Sequence, residues 1–307
     1  MTEFITEYKR CVAALEEAEK GLDSGKPQNV SALESMLASR TIPMQMLARH
    51  RAYGPRLQET LGKLREYRER KPVVVEDSGR EYITLENICC VDADGNEFER
   101  HGSIYVPKSI EKNADNSQIN NTPYNWIVYF DNKGMCLPSF ALSCNILNAL
   151  WKNKDNPECM QVLKQYKDKG DGYGCHAQNT LVNWGNGQVI HYPSDADFTS
   201  NGGNSNVNAG KRKAFSFDRK KLKDCKLQDA LRIPEMARFM KQFTGLRNPE
   251  VLVEIGEFFE KPAYVWTSSS NETRAAWLGC DNNGFDLIAD DILLNYDAAR
   301  GVRRGER

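Results

Sequence analysis

Three positions in this chain have the residue types and order of a thiol hydrolase. Cys136 lies just ahead of a helix start, where the positive end of the helix dipole favours a thiolate. His191 closes a strand-like run and could take the thiol proton, with Asp195 or Asp197 close behind to orient the imidazole. Two features argue against this chemistry. The chain holds nine cysteines, so one near a helix start carries little information, and no Gln stands shortly upstream of Cys136 to supply an oxyanion donor. Metal chemistry has less support. The histidines at 50, 101, 176 and 191 form no spaced pair on one element, and in Cys175-His176 adjacent side chains diverge on a strand. No GxxxxGK[ST], GxGxxG or GxSxG occurs. The expectation is a protein with no catalytic residues, metal or cofactor. The rival readings are a thiol hydrolase using Cys136 and His191, and a virion structural protein.

Composition narrows the partners. The chain has 307 residues, a net charge of −1 and 40% hydrophobic residues, which suits a globular protein with a sizeable core. A near-neutral balance gives no case for nucleic-acid binding, and the basic run Lys211 to Lys221 reads as a solvated face. No stretch is long and apolar enough to enter a membrane. The N-terminus has acids where a signal peptide would be basic, so the chain is expected in the cytoplasm as synthesised; association with a virion would need no signal. The cysteines are odd in number, irregularly spaced and without a CxxC, which argues against a disulfide framework or a structural zinc site.

The elements that must position any site follow from periodicity. Residues 1–72 read as a helical module, with Phe4, Tyr8, Cys11, Val12, Leu15 and Ala18 at helical spacing and a second helix opening at Val30 to Leu33. It could be a cap or a homo-oligomerisation stalk. Residues 73–119 read as a β-hairpin turning at Asp92-Ala-Asp-Gly-Asn96, followed by a linker. That turn faintly resembles a calcium loop, but its glycine is misplaced and no acid closes it. Within 120–307, Tyr124 to Phe130 reads as a strand. Helices open at Leu137-Pro138-Ser139, Asn156-Pro157, Ile233-Pro234 and Asn248-Pro249, with Pro138 in the first turn. A hairpin spans 179–192, residues 201–210 are a Gly/Asn-rich loop, and a strand ends at Trp266.

The last forty residues are the most informative. Trp266-Thr-Ser-Ser-Ser-Asn-Glu-Thr-Arg-Ala-Ala-Trp277 is followed by a turn at Asn283-Gly284 and by Arg300-Gly-Val-Arg303. Aromatic residues on strands among Ser, Asn, Asp and Tyr are the composition of adaptable recognition surfaces. With a proline-started helix at Pro234, and with Ser268, Ser269 and Ala276 in register, this layout resembles the C-type-lectin-fold domains of the formylglycine-generating-enzyme-like and bacterial lectin-like group. Within it, the layout is most similar to the variable proteins of diversity-generating retroelements. The resemblance covers about 230–307 well, 120–230 loosely and 1–110 not at all. The aliphatic run after Gly284 departs from the pattern.

The resemblance implies an α+β C-type lectin fold, a twisted antiparallel sheet flanked by two helices, that binds a protein or cell-surface ligand through strand-borne side chains. It places the displayed role on Ser270, Glu272, Arg274, Leu278, Cys280, Phe285, Leu287, Ala289, Asp291, Asn295 and Asp297. Trp266, Trp277, Gly284, Gly301 and Val302 would be framework.

Overall fold

The computed structural model describes residues 2–23, 33, 42–69, 74–75, 81–113, 119–167, 175–192, 198–199, 206–207, 212–280, 284–289 and 299–304. The chain divides into two compact units, Met1–Lys71 and Pro72–Arg307.

The first unit contains helices α1 (Thr2–Asp23), α2 (Ile42–Arg49) and α3 (Tyr53–Glu69). Cys11, Ala14, Leu15 and Ala18 recur at i, i+3, i+4 and i+7, so they share one face and are buried with Leu33, Leu47 and Leu57. Beside this core Glu19 accepts from Arg56 Nε (3.0 Å) and from Thr60 Oγ1 (3.4 Å), tying α1 to α3. Of the helix expected from Val30, only Leu33 is among the described residues, and it is helical.

The second unit is α+β. It opens with β1 (Val74–Val75), β2 (Tyr82–Val91) and β3 (Glu97–Pro107). Between β2 and β3, Asp92 Oδ1 accepts from Asp94 N and Asn96 N, and Gly95 takes φ +85°, so the loop is a side-chain-closed turn. Residues 73–119 do not form a separate core: Ile83, Leu85, Ile88, Cys90, Ile104 and Val106 are buried in the same cluster as the helices that follow.

The expected strand at Tyr124 to Phe130 is a helix, α4 (Pro123–Asp131). Thr122 caps it by accepting from Asn125 N, and Pro123 occupies the first turn. Trp126 and Phe130, four apart, then bury together on one face. β-prone residue types pointed to a strand; the Thr-Pro start signal and the i, i+4 pair decide otherwise. The next helix, α5 (Phe140–Lys152), is capped by Ser139, so Pro138 precedes the cap rather than sitting in the first turn. Its middle is buried nearly all round. Asn156 Oδ1 accepts from Glu158 N and Cys159 N at the start of α6 (Pro157–Lys167).

Strands β4 (Cys175–Asn183) and β5 (Gln188–His191) form the expected hairpin. Two-residue strands β6 (Phe198–Thr199) and β7 (Asn206–Val207) pair with each other; the rest of 200–210 lies outside the described residues. Then come β8 (Lys213–Ser216), a 3-10 turn (Arg219–Lys221), β9 (Cys225–Lys226) and the short α7 (Leu227–Ala230). α8 (Pro234–Thr244) has proline in its first turn and closes at Gly245 in the left-handed conformation. It is followed by α9 (Val251–Phe258), β10 (Ala263–Trp266), β11 (Thr273–Cys280), β12 (Phe285–Ile288) and β13 (Arg303–Arg304).

Two larger sheets result, with orders β1-β2-β3-β13 and β8-β5-β4-β11-β12-β10-β9. The second is mixed, because β10 and β12 run parallel while its other pairs are antiparallel. The segment 301–304 binds the unit together. Cys136 and Val302 exchange both backbone hydrogen bonds at 2.9 Å, Arg303 pairs with Tyr105, and Gly301 lies so close to the Phe130 ring that a Cβ would stand 2.3 Å from it.

Candidate recognition surface

Side chains on a strand alternate between faces, so one choice of parity assigns a whole strand. On β11 and β12 the main core takes Ala276, Leu278, Cys280, Phe285 and Leu287. The opposite face carries Ala275 and Trp277 on β11, with Trp266 on β10, in a separate cluster against Trp126 and Phe130 of α4. The parity is therefore the reverse of the one expected from sequence. Leu278, Cys280, Phe285, Leu287 and Ala289, expected to be displayed, are at most 1% exposed. Arg274 is also buried, its guanidinium held by Glu272 Oε2 at 2.6 Å. Trp277 is buried, as expected of framework, and Trp266 is half-buried, but both belong to this second cluster and not to the main core, so the residues alternating with Trp277 on β11 are buried as well. Phe285-Asp286-Leu287 carried the signal for this parity, because two apolar residues flanking an acid mark the inward positions. Ser270 and Glu272 do reach solvent, on the loop before β11. Asp291, Asn295, Asp297 and the Asn283 turn position lie outside the described residues.

The outward face has an ordered pattern. In register across β4, β11, β12 and β10, Ala177 stands opposite Trp277, and Trp277 and Trp266 both face position 288. One row further, Asp286 stands beside Tyr264. In the other direction Leu181 pairs with Ala275, and Asn183 with Thr273. Tyr264 and Trp266, two apart on β10, point the same way with ring centroids 5.4 Å apart and planes 23° apart. Both are half-buried. Trp266 Nε1 donates to Asp286 Oδ1 at 2.9 Å, and that carboxylate is itself buried, so the indole is fixed in orientation. Trp277 Nε1 is buried without a hydrogen-bond partner among the described residues.

A polar rim borders this face at the Thr273 end. Arg219, which sequence reading left in a solvated run, forks into the β10–β11 loop. It donates to Asn271 Oδ1 at 2.5 Å and to the Ser269 carbonyl. The β4–β5 turn lies against the same loop: a Cβ on Gly185 would sit 2.6 Å from the Asn271 carbonyl. Thr267 adds two bonds to Asp224 Oδ1, both 2.7 Å. Arg219→Ala is expected to leave the core intact while the amides of residues 270–272 exchange roughly tenfold faster, the scale of one lost charge-assisted bond. Hydrogen exchange on the full chain measures this.

No protein-family model, curated protein or solved structure matches this chain.

The thiol-hydrolase candidates Cys136 and His191 each bond to other groups. The His191 ring is fully buried, with Nε2 2.9 Å from the Gln242 carbonyl and Nδ1 2.8 Å from Thr180 Oγ1. A carbonyl can only accept, so Nε2 carries the proton and the Thr180 hydroxyl donates to Nδ1; that hydroxyl in turn accepts from Phe140 N. Burial pushes the imidazole pKa down to about 4, so it is neutral and both nitrogens are used. The Cys136 thiol donates to the Val302 carbonyl at 3.2 Å. Asp195 and Asp197 lie outside the described residues.

Another polar group resembles a triad but has the wrong order. Ser139 Oγ donates to Glu99 Oε2 at 3.2 Å, and Glu99 Oε1 lies 2.9 Å from His101 Nε2. The carboxylate stands between hydroxyl and imidazole, so the imidazole does not touch the serine as it would in a Ser-His-acid triad. Ser139 instead caps α5 by accepting from Leu142 N at 3.1 Å. Ser139→Ala should cost about 1–2 kcal/mol in urea denaturation by removing that cap. Among the described residues no group of three or more His, Cys, Asp and Glu side chains could hold a metal.

Proposed function

We propose that the protein is a non-enzymatic recognition protein and that the outward face of its seven-stranded sheet is the contact surface. The observation that carries this is the Tyr264–Trp266 pair, half-exposed and fixed by the buried Asp286. Rigid aromatic anchors among short polar side chains give contact area at little conformational cost. On the same face, at the other end of β11 and beyond Trp277, lie Leu181, Asn183, Thr273 and Ala275, and the Arg219-braced loop with Ser270 and Glu272 borders that end. The ligand class is a protein or cell-surface molecule.

A C-type-lectin-like arrangement is the finer reading of the fold. It is supported by the antiparallel β5-β4-β11-β12 core of the sheet, by α5, α6, α8 and α9 packed in the main core on one face, and by a late segment that returns to pair with an early strand. The variable-protein reading then shifts to new positions: variation should fall on the codons of Asn183, Tyr264, Thr273 and Ala275, not on those of Leu278 or Phe285. A neighbouring template repeat and reverse transcriptase gene, with mismatches confined to template adenines, would support it; their absence removes the retroelement part.

Binding is tested on the full chain with intact cells and a displayed peptide library. Tyr264→Ala is expected to weaken any captured ligand about thirtyfold, the scale of an aromatic hot spot. Ligands that tolerate both Tyr264→Ala and Thr273→Arg without loss would sink the assignment of this face.

A further inference from the structure

We propose that the free edge of β8 pairs antiparallel with β8 of a second copy, joining two seven-stranded sheets across a two-fold axis. Among the described residues β8 ends its sheet and is bonded only to β5. The direction of its outer hydrogen-bonding groups follows from two flanking bonds. Tyr192 N donates to the Asn179 carbonyl, on the β4 side, and Phe217 N donates to the Gly187 carbonyl, on the β8 side. Even-numbered residues of β5 therefore bond β4 and odd-numbered ones bond β8. Given the pairs Val189–Phe215 and His191–Lys213, it is Lys213, Phe215 and Phe217 that bond inward. The N–H and C=O groups of Ala214 and Ser216 point to the outer edge. Both residues are exposed, and neither is a proline or carries charge.

The edge is complementary to itself. Placing Ala214 opposite Ser216 of the second copy engages all the outward groups, giving four backbone hydrogen bonds across the axis. That register sets Phe215 opposite its own equivalent, in the position where cross-strand side chains approach most closely. It also sets Arg212 opposite Asp218 of the second copy at both ends. Asp218 already accepts from Lys220 N through Oδ1, which leaves Oδ2 for the arginine. The alternative two-fold register with Ser216 facing itself would put Lys213 against Arg219 and Arg212 against Lys220. With Ala214 facing itself, Arg212 would stand against Ser216 and no ion pair would form, so charge favours the register that sets Arg212 against Asp218. The opposite edge of the sheet has no such capacity, since β9 is two residues long and ends in exposed Lys226.

An edge pairing of this size buries little surface, so the dimer should be weak and concentration-dependent. Sedimentation velocity on the full chain between low and high micromolar concentration should show a mass rising from 34.8 kDa towards twice that value. Ser216→Pro removes an outward N–H without touching a bond to β5, and should weaken dimerisation roughly tenfold or more. Arg212→Asp should weaken it as well, and adding Asp218→Arg should restore it. Far-UV circular dichroism checks folding, and the charge-swap arm stands independently of the proline arm. A monomer at every concentration, a Ser216→Pro protein that dimerises like the wild type, or a charge swap that fails to recover would each overturn the proposal.

Discussion

Lowering the pH from 7 to 4.5 should cost the folded protein about 5 kcal/mol through two histidines alone. His191 is held neutral in its network with a pKa near 4, and His176 is pushed to about 3 by burial and then by the nearby Arg300 guanidinium. Both folded values lie below the ordinary 6.5. Below that pH the unfolded chain therefore binds protons that the folded chain refuses, and stability falls as pH drops towards the folded values. Above it the contribution is fully present. Each histidine supplies about half of the loss.

The two can be separated. His191 has partners on both nitrogens, whereas His176 stacks on Tyr166 with centroids 4.5 Å apart and has no hydrogen-bond partner for either nitrogen among the described residues. A buried polar group in that state is a cost. His176→Phe should therefore hold or raise stability at pH 7 and remove about half of the acid slope. Urea midpoints at pH 7, 6 and 5 measure both effects, and an unchanged slope would remove His176 from the account.

Gly245→Ala is expected to cost the second unit about 2–4 kcal/mol. Gly245 takes φ +62° at the end of α8, and a Cβ there would stand 2.6 Å from Ala141 Cβ and 3.1 Å from Cys90 Cβ. Its carbonyl also accepts from Val91 N at 2.8 Å and from Asn145 Nδ2 at 3.0 Å, so β2, α5 and α8 meet at one peptide. Any shift to admit the methyl strains both bonds. Gly134 supplies the control: its φ is +64°, but a Cβ there meets nothing within 4 Å. Gly134→Ala should cost about 1 kcal/mol, the backbone term alone. Equal losses in the two variants would mean that the packing around Gly245 relaxes freely.

Sequence reading found the elements wherever punctuation was local. Asn156-Pro157, Ile233-Pro234 and the Asp92–Asn96 turn carry their own capping atoms, and those helices and that turn stand as expected. It failed where the deciding partner was distant in sequence. Tyr124–Phe130 has strand-like residue types; the local Thr122-Pro123 start opens a helix there, and the packing of Trp126 and Phe130 against Ala177 and Trp277, distant in sequence, is what gives it a buried face. The faces of β11 and β12 were assigned with the wrong parity, because a sheet covered on both sides offers a tryptophan two clusters to join, and a carboxylate such as Asp286 can hold the Trp266 N–H away from the main core. Arg219 gave no signal at all, since its partners lie fifty residues downstream on a loop. His191 was singled out for its chemistry, but Thr180 and Gln242, which consume both nitrogens, could not be paired with it from sequence.

The Cys136–Val302 bridge and the Arg303–Tyr105 pair have a consequence for biosynthesis. Strand β3 waits nearly two hundred residues for its outer neighbour, and α4 cannot be sealed until Gly301 arrives beside Phe130. Such contacts are the slowest to close and cannot form while their second half is still inside the ribosome. The aromatic cluster under α4 therefore cannot be sealed until residues 301–304 have emerged, and a pause between residues 131 and 301 would prolong its exposure to solvent.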